Sequence, residues 1–353
     1  MKPISEKLKL NAVQFAEKVS SYRYHKISNG IAFKALKEIS REKGKLAART
    51  KKLAYEYAVD ALGWKGYAPW LYVYSHVSGE FREGWLPDNF YGKVVIPKIQ
   101  GEYGKISFLK SLNNRLFENE ISPDLAYFIN GFWFEKDFKP ISREHVKNIL
   151  FSDTQKVVCK LDHSYQGLGV LVYEKKDFDP DSIVKKGNGV IQKHIQQHPF
   201  FNSFIPGAVA TIRITTVVDT NSKMSLRSCY LRLGRSGDTH VQSINHVRVP
   251  IYMKDGMLYE QGYLANWKEI SNHPDTHEAF SNKIIPNYKA CAELVLQLHK
   301  KMPMVCSIGW DVIVDHTNNP VVMEWNGYSN DIKFSEATQG PCFKDLGWHL
   351  LVR

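Results

Sequence analysis

The stretch that most restricts how this chain can fold is residues 307–330, SIGWDVIVDHTNNPVVMEWNGYSN. Two apolar runs, Trp310–Val314 and Val321–Trp325, flank a polar segment that is rich in asparagine and ends in proline. Short apolar runs separated by such a segment are typical of a β-hairpin. We therefore predict two neighbouring antiparallel strands here, joined by a turn at His316–Asn319.

Two acidic residues interrupt these apolar runs. If Asp315 faces Pro320, Asp311 lies directly opposite Glu324, and Asn326 shares the face of Glu324 because side chains alternate along a strand. The Cβ atoms of opposed residues are roughly 4.5–5.5 Å apart, so the two carboxylates repel each other unless a cation lies between them. Mg²⁺ prefers oxygen ligands, so the pattern predicts a magnesium site. The alternative is an ordinary hairpin with both acids in solvent, and a register slip of one residue would separate them.

The positive charge of the chain is concentrated in its first segment. The sequence has a formal net charge of +11, and residues 1–56 hold fourteen Lys and Arg against five Asp and Glu, a net charge of +9. A basic helical segment of this kind is able to contact anionic membrane or another polyanion, and a solvated helix face is the alternative. The nearly neutral remainder and the absence of a nucleic-acid-binding motif argue against a nucleic-acid partner.

The cysteine pattern bears on the compartment. Five cysteines are scattered among 353 residues without a CxxC pair, which is typical of reduced packing residues. No apolar run approaches the ~18 residues that span a membrane, and the first residues lack the apolar core of a secretory signal. We expect a cytoplasmic protein, and no oligomeric state follows from the sequence.

The composition changes along the chain. Residues 5–62 contain few glycines and prolines and many Ala, Leu, Lys and Glu, which predicts helix. Residues 63–103 are rich in aromatic residues and broken by Gly and Pro, which predicts compact irregular structure. Short strands dominate from Val157 onward, and Asn287–Met302 is predicted as an amphipathic helix. The fold class that follows is α+β.

Lys160 ends the predicted strand Val157–Leu161 and precedes the glycine-containing loop Ser164–Gly169. Glycines let a loop approach a ligand closely and present backbone N–H groups to phosphate oxygens, and a nearby lysine adds a point charge. The segment therefore predicts a phosphate-binding loop. A plain strand–turn–strand hairpin with Lys160 at the surface is the alternative.

Two arginines form a second cationic site. If Val218 pairs with Ser225, Arg213 and Arg232 become diagonal neighbours on one sheet face. Two guanidinium groups so placed imply an anion between them, because arginine binds phosphate and carboxylate groups well. An exposed sheet face with water-screened charges is the alternative.

Taken in order, six segments of the chain resemble one known family. They are CKLDHSYQGLGV, VIQKHI, ATIRITT, HPDT, GWDVIV and VVMEWN. The series resembles the ATP-grasp superfamily and, within it, the sugar-transfer-associated ATP-grasp branch. The resemblance implies an ATP-grasp fold, in which two α/β subdomains clasp ATP, with a helical, aromatic-rich N-terminal region. The implied divisions are 1–105 for that region, 106–155 for a linker α/β segment, 156–205 for the small subdomain and 206–353 for the large subdomain.

The resemblance also implies three sets of site residues. Those implied to bind ATP are Arg115, Lys160, Ser164, Gln166, Gly167, Gly169, Gln192, Lys193, Ile195, Asp311 and Glu324. Those implied to hold Mg²⁺ are Asp311, Glu324 and Asn326. Those implied to act in catalysis are Arg213, Arg232 and Lys160. Within the first set, the glycine-containing loop closes over the phosphates, and backbone groups of Lys193 and Ile195 pair with the adenine edge.

Three positions depart from the usual family pattern. Arg115 stands in the segment where many members carry a second phosphate-binding lysine, and Gln192 stands where many carry an acid. Gly309 stands where some members carry an arginine, and we expect Arg213 or Arg232 to compensate. His273–Thr276 matches a family signature without an assigned role.

The resemblance predicts an ATP-dependent carboxylate–amine ligase that uses ATP and Mg²⁺. A substrate carboxylate attacks the γ-phosphorus of ATP, and an amine then attacks the acyl-phosphate to form an amide. The family branch implies small-molecule acid and amine substrates, amino acids or sugar derivatives, in cell-surface polysaccharide biosynthesis. Two alternatives stay open: an ATP-grasp kinase acting on a sugar or small molecule, and a non-enzymatic protein that binds a polyanion or membrane.

Overall fold

The computed structural model describes residues 4–118, 122–164, 169–238, 245–328 and 330–352. Its helices in these ranges are α1 (Ile4–Lys43), α2 (Ala48–Glu56), α3 (Ala68–Ser78), α4 (Asp88–Phe90), α5 (Ile96–Gln100), α6 (Asn113–Leu116), α7 (Arg143–Leu150), α8 (Pro180–Val184), α9 (Pro199–Asn202), α10 (Tyr288–His299) and α11 (Lys333–Gln339). π-Helical turns lie at Tyr57–Ala61 and Tyr91–Val95. Among the described residues, none of the helices has both the length and the apolar character needed to cross a bilayer.

The described strands form two sheets in which every pairing is antiparallel. They are β1 (Asp124–Ile129), β2 (Phe132–Glu135), β3 (Pro140–Ile141), β4 (Lys156–Leu161), β5 (Val170–Glu174), β6 (Gly189–Lys193), β7 (Thr211–Val218), β8 (Met224–Leu233), β9 (Val247–Pro250), β10 (Gly262–Tyr263), β11 (Glu269–Ile270), β12 (Ser307–Val314) and β13 (Pro320–Asn326). The first sheet has the strand order β3-β2-β1-β6-β4-β5, and the second has the order β11-β10-β9-β8-β7-β12-β13. The predicted α+β class is confirmed.

The chain forms two compact units, one made of Met1–Ile99 with Asp331–Arg353 and the other of Gln100–Asn330. This division differs from the four predicted segments, which stay a prediction. A buried carboxylate ties the C-terminal residues to the first unit. Glu336 is fully buried and accepts hydrogen bonds from the backbone N–H groups of Leu86, at 2.8 Å, and Cys342, at 2.7 Å. Burial raises the pKa of Glu336 to about 7.

Residues 63–103, predicted as irregular, contain helix α3, so that prediction is wrong. Pro69 lies in the first turn of α3, where a backbone N–H has no intrahelical acceptor, and Gly79 ends the helix in the left-handed conformation with φ of 85°. Glycine and proline therefore mark the two ends of a helix here. The side chains of Trp70 and Tyr74 are fully buried, so aromatic residues build the core of the first unit.

The second sheet has one apolar and one polar face. Ile212, Ile214 and Trp310 lie on the apolar face and pack in one buried cluster with Val295 and Leu298 of α10. Because side chains alternate along each strand, the residues between them project from the opposite face. That face carries the site residues predicted on β7, β8, β12 and β13.

The first sheet is built in the same way. Cys159 and Ile191 of its central strands pack with Val146 and Leu150 of α7 in a second buried cluster. Lys160 alternates with Cys159 and therefore belongs to the other face of β4. Both sheets lie in the unit Gln100–Asn330, and a polar face of each is available to one site.

The β12–β13 hairpin confirms that Asp311 lies opposite Glu324. The predicted pairing at the turn is wrong by one residue, because Val314 and not Asp315 pairs with Pro320. Taken alone, this offset would separate the two acids.

A β-bulge removes the offset. Val312 pairs with Val322, whereas Asp311 pairs with Glu324, so Met323 is an extra residue on β13. An extra residue on one strand shifts the pairing beyond it by one position. The predicted opposition is therefore produced by a register that differs from the predicted one at the turn.

The β7–β8 hairpin shows the same combination. Val218 pairs with Met224 instead of the predicted Ser225, and a bulge follows within the hairpin. Beyond the bulge, the predicted placement of Arg213 and Arg232 as diagonal neighbours is confirmed.

Candidate active site

Asp311 lies at the centre of the polar face of the second sheet. It pairs across the strands with Arg213, whose Nε and Nη2 donate to the two carboxylate oxygens at 2.7 and 3.0 Å. Arg232 Nη1 lies 3.2 and 3.3 Å from the same oxygens. The anion between the two arginines is thus the carboxylate of Asp311 itself. Burial tends to raise the pKa of Asp311, but the two guanidinium groups outweigh it and hold this pKa at about 2.

Two buried lysines approach the neighbouring strand β13. Lys160 Nζ donates to the carbonyl oxygen of Met323, the bulged residue, at 2.9 Å. Lys110 Nζ lies 3.3 Å from Oε1 of Glu324 and donates to Oγ of Ser164 at 2.9 Å. Burial lowers the pKa of Lys160 to about 8, against the attraction of Glu324, which acts to raise it. The lysines place positive charge beside Glu324, as a phosphate site requires.

Lys110 is a site residue that the sequence analysis missed. Arg115, predicted as the second phosphate-binding cation, is exposed on α6, and no described contact joins it to Glu324 or Lys160. Lys110 is 5% exposed, and burial of a lysine is uncommon unless its charge has a partner. The available signal was the lysine directly before the segment that contains Arg115.

The predicted phosphate-binding loop is described only at its ends. Ser164 accepts a hydrogen bond from Lys110, and its own hydroxyl donates to the carbonyl oxygen of Leu161 at 2.6 Å. A Cβ at Gly169 would lie 2.2 Å from Cβ of Ser164, so only glycine fits there. Gln166 and Gly167 lie outside the described residues, and their role stays a prediction.

The predicted adenine strand carries one buried orphan acceptor. Gln192 Nε2 donates to Oδ1 of Asp124 at 2.8 Å, while its Oε1 is buried and has no donor among the described residues. Burial raises the pKa of Asp124, against the hydrogen bonds that lower it. The backbone N–H of Lys193 donates to the carbonyl oxygen of Pro123 at 2.9 Å. Ile195 is the second residue after the end of β6 and is half-buried.

Amide oxygens gather beside the two carboxylates. Asn326 pairs with Gly309 and donates through Nδ2 to its carbonyl oxygen at 3.3 Å. Asn330 is 3% exposed, and its Oδ1 would lie 2.2 Å from a Cβ at Gly309. This Oδ1 has no hydrogen-bond donor among the described residues. Arg213 Nη1 would lie 3.3 Å from the same Cβ, so its guanidinium covers Gly309, and the predicted compensation stays a prediction.

The donor set fits Mg²⁺. Within the described ranges, no group of three or more His, Cys, Asp or Glu side chains is placed to hold a metal, so a cation at this site would need amide oxygens beside the carboxylates. Glu324 and Asn326 offer such hard oxygens, and Asn330 adds a buried one. Asp311 can join them only if it exchanges a contact with Arg232, whose distances are longer than those of Arg213.

The segment His273–Thr276 shapes the turn after β8. Arg235 donates to both carboxylate oxygens of Asp275 at 2.9 and 2.7 Å, and the N–H of Ser236 donates to Asp275 at 2.7 Å. The hydrogen bond from Arg235 is the main reason that the pKa of Asp275 falls to about 2. His273 Nε2 lies 3.0 Å from the carbonyl oxygen of Gly234. The segment thus fixes the chain two residues beyond Arg232.

The structure and the sequence analysis assign the second phosphate-binding cation to different residues, Lys110 and Arg115, so substitutions of the two should affect nucleotide affinity differently. We expect Lys110→Met to weaken ADP binding by about tenfold or more, because a hydrogen bond between charged groups contributes roughly 1.5–3 kcal/mol. The matched variant Arg115→Met should change the dissociation constant less than about twofold, as for a surface side chain. Isothermal titration calorimetry measures both. A loss confined to Arg115→Met would restore the assignment made from the sequence.

Comparisons with known proteins bear on this site. The family model described as "Sugar-transfer associated ATP-grasp" matches residues 180–345, which include both arginines and the proposed metal ligands. The comparison with curated proteins gives no match.

Among solved structures, the chain is similar to the ATP-grasp ligase PsnB in complex with a minimal precursor, with 11% identity, a TM-score of 0.41 and coverage of 72% of this chain and 63% of that one. N5-carboxyaminoimidazole ribonucleotide synthetase from Thermotoga maritima has 10% identity and a TM-score of 0.36, with coverage of 70% of this chain and 52% of that one. D-alanyl-alanine synthetase A from Vibrio cholerae has 10% identity and a TM-score of 0.42, with coverage of 72% of this chain and 68% of that one. The chain thus spans less than two thirds of the first two.

Proposed function

We propose, on the premise that residues 180–345 match the sugar-transfer associated ATP-grasp family model, that the chain is a member of this family and an ATP-dependent carboxylate–amine ligase. The reaction forms an amide through an acyl-phosphate and releases ADP and phosphate. The observation that carries the proposal is the convergence of Asp311 and Glu324 with four cations, Lys110, Lys160, Arg213 and Arg232, on facing polar surfaces. We assign the protein to cell-surface polysaccharide biosynthesis, in line with the family description.

In the first step, a carboxylate oxygen of the acid attacks the γ-phosphorus of ATP, and the bond from this phosphorus to the β–γ bridging oxygen breaks. Lys110 and Lys160 bind the phosphates, because both ammonium groups lie at the edge of β13 next to Glu324. Arg232 moves from Asp311 to the transferred phosphoryl group, since its contacts are the longer ones. Glu324, Asn326 and Asp311 would hold Mg²⁺, which when bound would neutralise charge on the phosphates.

In the second step, the amine nitrogen attacks the acyl carbon, the carbon–oxygen bond to phosphate breaks, and the proton from nitrogen leaves with phosphate. Arg213 stabilises the oxyanion of the tetrahedral intermediate, because its guanidinium is held rigidly by Asp311 and covers Gly309. The glycine-containing loop excludes water, which would otherwise hydrolyse the acyl-phosphate.

Adenine binds at β6 in this proposal. Gln192 is 1% exposed, and its Oε1 has no hydrogen-bond donor among the described residues. A buried acceptor of this kind needs an N–H donor, which the exocyclic amino group of adenine provides. The carbonyl of Lys193 and the backbone of Ile195 complete the contacts to the adenine edge. Asp124 holds Gln192 in place through its hydrogen bond, so an acid supports this position from the neighbouring strand.

A screen of amino acids and uronic acids with amine co-substrates tests the function. We expect ADP and phosphate release only when ATP, an acid and an amine are all present. Hydroxylamine should replace the amine and yield a hydroxamate, which traps the acyl-phosphate. AMP as the product would contradict the proposal, and a stable phosphorylated product formed without an amine would identify a kinase instead.

A further inference from the structure

Helix α1 of the first unit has a narrow buried stripe. Ser28, Ala32, Ala35 and Ile39 are between 0% and 6% exposed and follow one another at intervals of four, three and four residues. In a helix with 3.6 residues per turn, these intervals place all four on one face. This face is the one that packs into the unit.

A second stripe runs along the opposite side of α1. Phe15, Tyr22 and Phe33 are 70%, 68% and 54% exposed, and Lys26 and Lys37 are also exposed. The five residues follow at intervals of seven, four, seven and four, so each lies within about 40° of the one before it. We call these five residues the outer stripe. It combines large aromatic rings with ammonium groups on one line.

One flank of α1, between the outer stripe and the buried stripe, is also exposed. Ile27 and Ile31, one helical turn apart on this flank, are 66% and 51% exposed, and Lys34 is exposed beside them. The three large aromatic rings of the outer stripe share one face of the helix, and exposed apolar side chains on a common face mark a candidate interaction surface. The segment 1–56 carries a net charge of +9, which selects an anionic partner.

From these observations we propose that the outer stripe docks on an anionic lipid bilayer, with α1 lying in the plane of the interface. Aromatic rings favour the headgroup boundary, and lysines extend their ammonium groups to lipid phosphates while their methylene chains stay apolar. A second copy of this chain is a poorer occupant, because it would bring like charges together, and the cores of protein interfaces are depleted of lysine. The inference does not depend on the proposed reaction.

Vesicle co-sedimentation of the full chain tests the proposal. We expect binding to vesicles of phosphatidylcholine mixed with phosphatidylglycerol, little binding to phosphatidylcholine alone, and loss of binding at high salt, because salt screens the attraction. Combined Lys26→Glu, Lys34→Glu and Lys37→Glu should weaken binding by about 100-fold or more. Combined Phe15→Ser, Tyr22→Ser and Phe33→Ser should weaken it by at least about tenfold.

The matched control is Phe132→Ser with Tyr103→Ser, two aromatic residues of the other unit that are 66% and 68% exposed. This variant should bind vesicles as the unchanged protein does, and circular dichroism should show that every variant keeps its helix content. Absent or salt-insensitive binding, equal binding to both vesicle types, or an equal loss in the control would overturn the proposal. So would light scattering that shows a stable dimer dissolved by the three serine substitutions.

Discussion

Replacing Glu324 by glutamine is expected to reduce ATP turnover by at least about 10²–10³-fold, because the amide keeps the shape of the side chain but removes the charge that, in the proposed site, holds a cation next to the phosphates. The glutamate side chain is 27% exposed and lies 3.3 Å from Lys110. Loss of the ion pair between Glu324 and Lys110 should change the free energy of unfolding by about 1 kcal/mol or less, and the melting temperature by a few degrees. Phosphate release and differential scanning calorimetry give the two numbers.

The control for this substitution is Glu293→Gln, which removes the same charge from an exposed position on α10. It should leave turnover within about twofold of the unchanged protein. Wild-type turnover in the Glu324 variant would remove Glu324 from the metal site. A cooperative loss of structure in that variant would instead assign it a structural role.

The second large effect concerns stability. We expect Arg213→Met to lower the free energy of unfolding by about 3–5 kcal/mol, because removing one partner leaves the buried carboxylate of Asp311 under-compensated. Arg232→Met should cost only about 1–2 kcal/mol, since its contacts at 3.2 and 3.3 Å are longer and Arg213 remains. Urea unfolding, with hydrogen exchange of the β7 and β12 amides, measures both.

The double variant Arg213→Met with Asp311→Asn should recover part of the lost stability, because it removes the unpaired charge along with its partner. The pKa of Asp311, about 2, lies below its ordinary 3.8. Its contribution to stability is therefore complete at neutral pH and is lost as the pH falls from about 4 through about 2. Equal destabilisation by the two arginine variants would show that the geometric difference between them carries no weight.

Local patterns were sufficient to predict the hairpins and the residues that face each other at their functional ends. Alternation of apolar and polar residues places Asp311 and Arg213 on the polar face regardless of the turn. The turns themselves were predicted one residue out of register, and bulges at Met323 and Arg227 correct the error. A bulge depends on the competition between turn geometry and the burial of one sheet face, which a short sequence pattern does not contain.

Long-range placements were harder to predict. The cation of the helical segment could not be chosen from the sequence, because Lys110 and Arg115 differ only in which one is buried beside Glu324. The sequence predicted a bound anion between Arg213 and Arg232, whereas in the structure β12 places the carboxylate of Asp311 there, from nearly a hundred residues beyond Arg213. Composition predicted the helical N-terminal region. Helix α3 was not predicted, because the proline and glycine at its two ends were interpreted as breaks in regular structure.

Lys160 donates its hydrogen bond to the main-chain carbonyl oxygen of Met323. Substitutions of the side chain at position 323 therefore leave this hydrogen bond intact. The number of residues in β13 is constrained instead of the side chain at this position. Deleting Met323 would remove the bulge and the carbonyl oxygen that Lys160 contacts, although Glu324 would stay opposite Asp311. Relatives of this protein should therefore tolerate many different residues at this position but rarely a deletion of it.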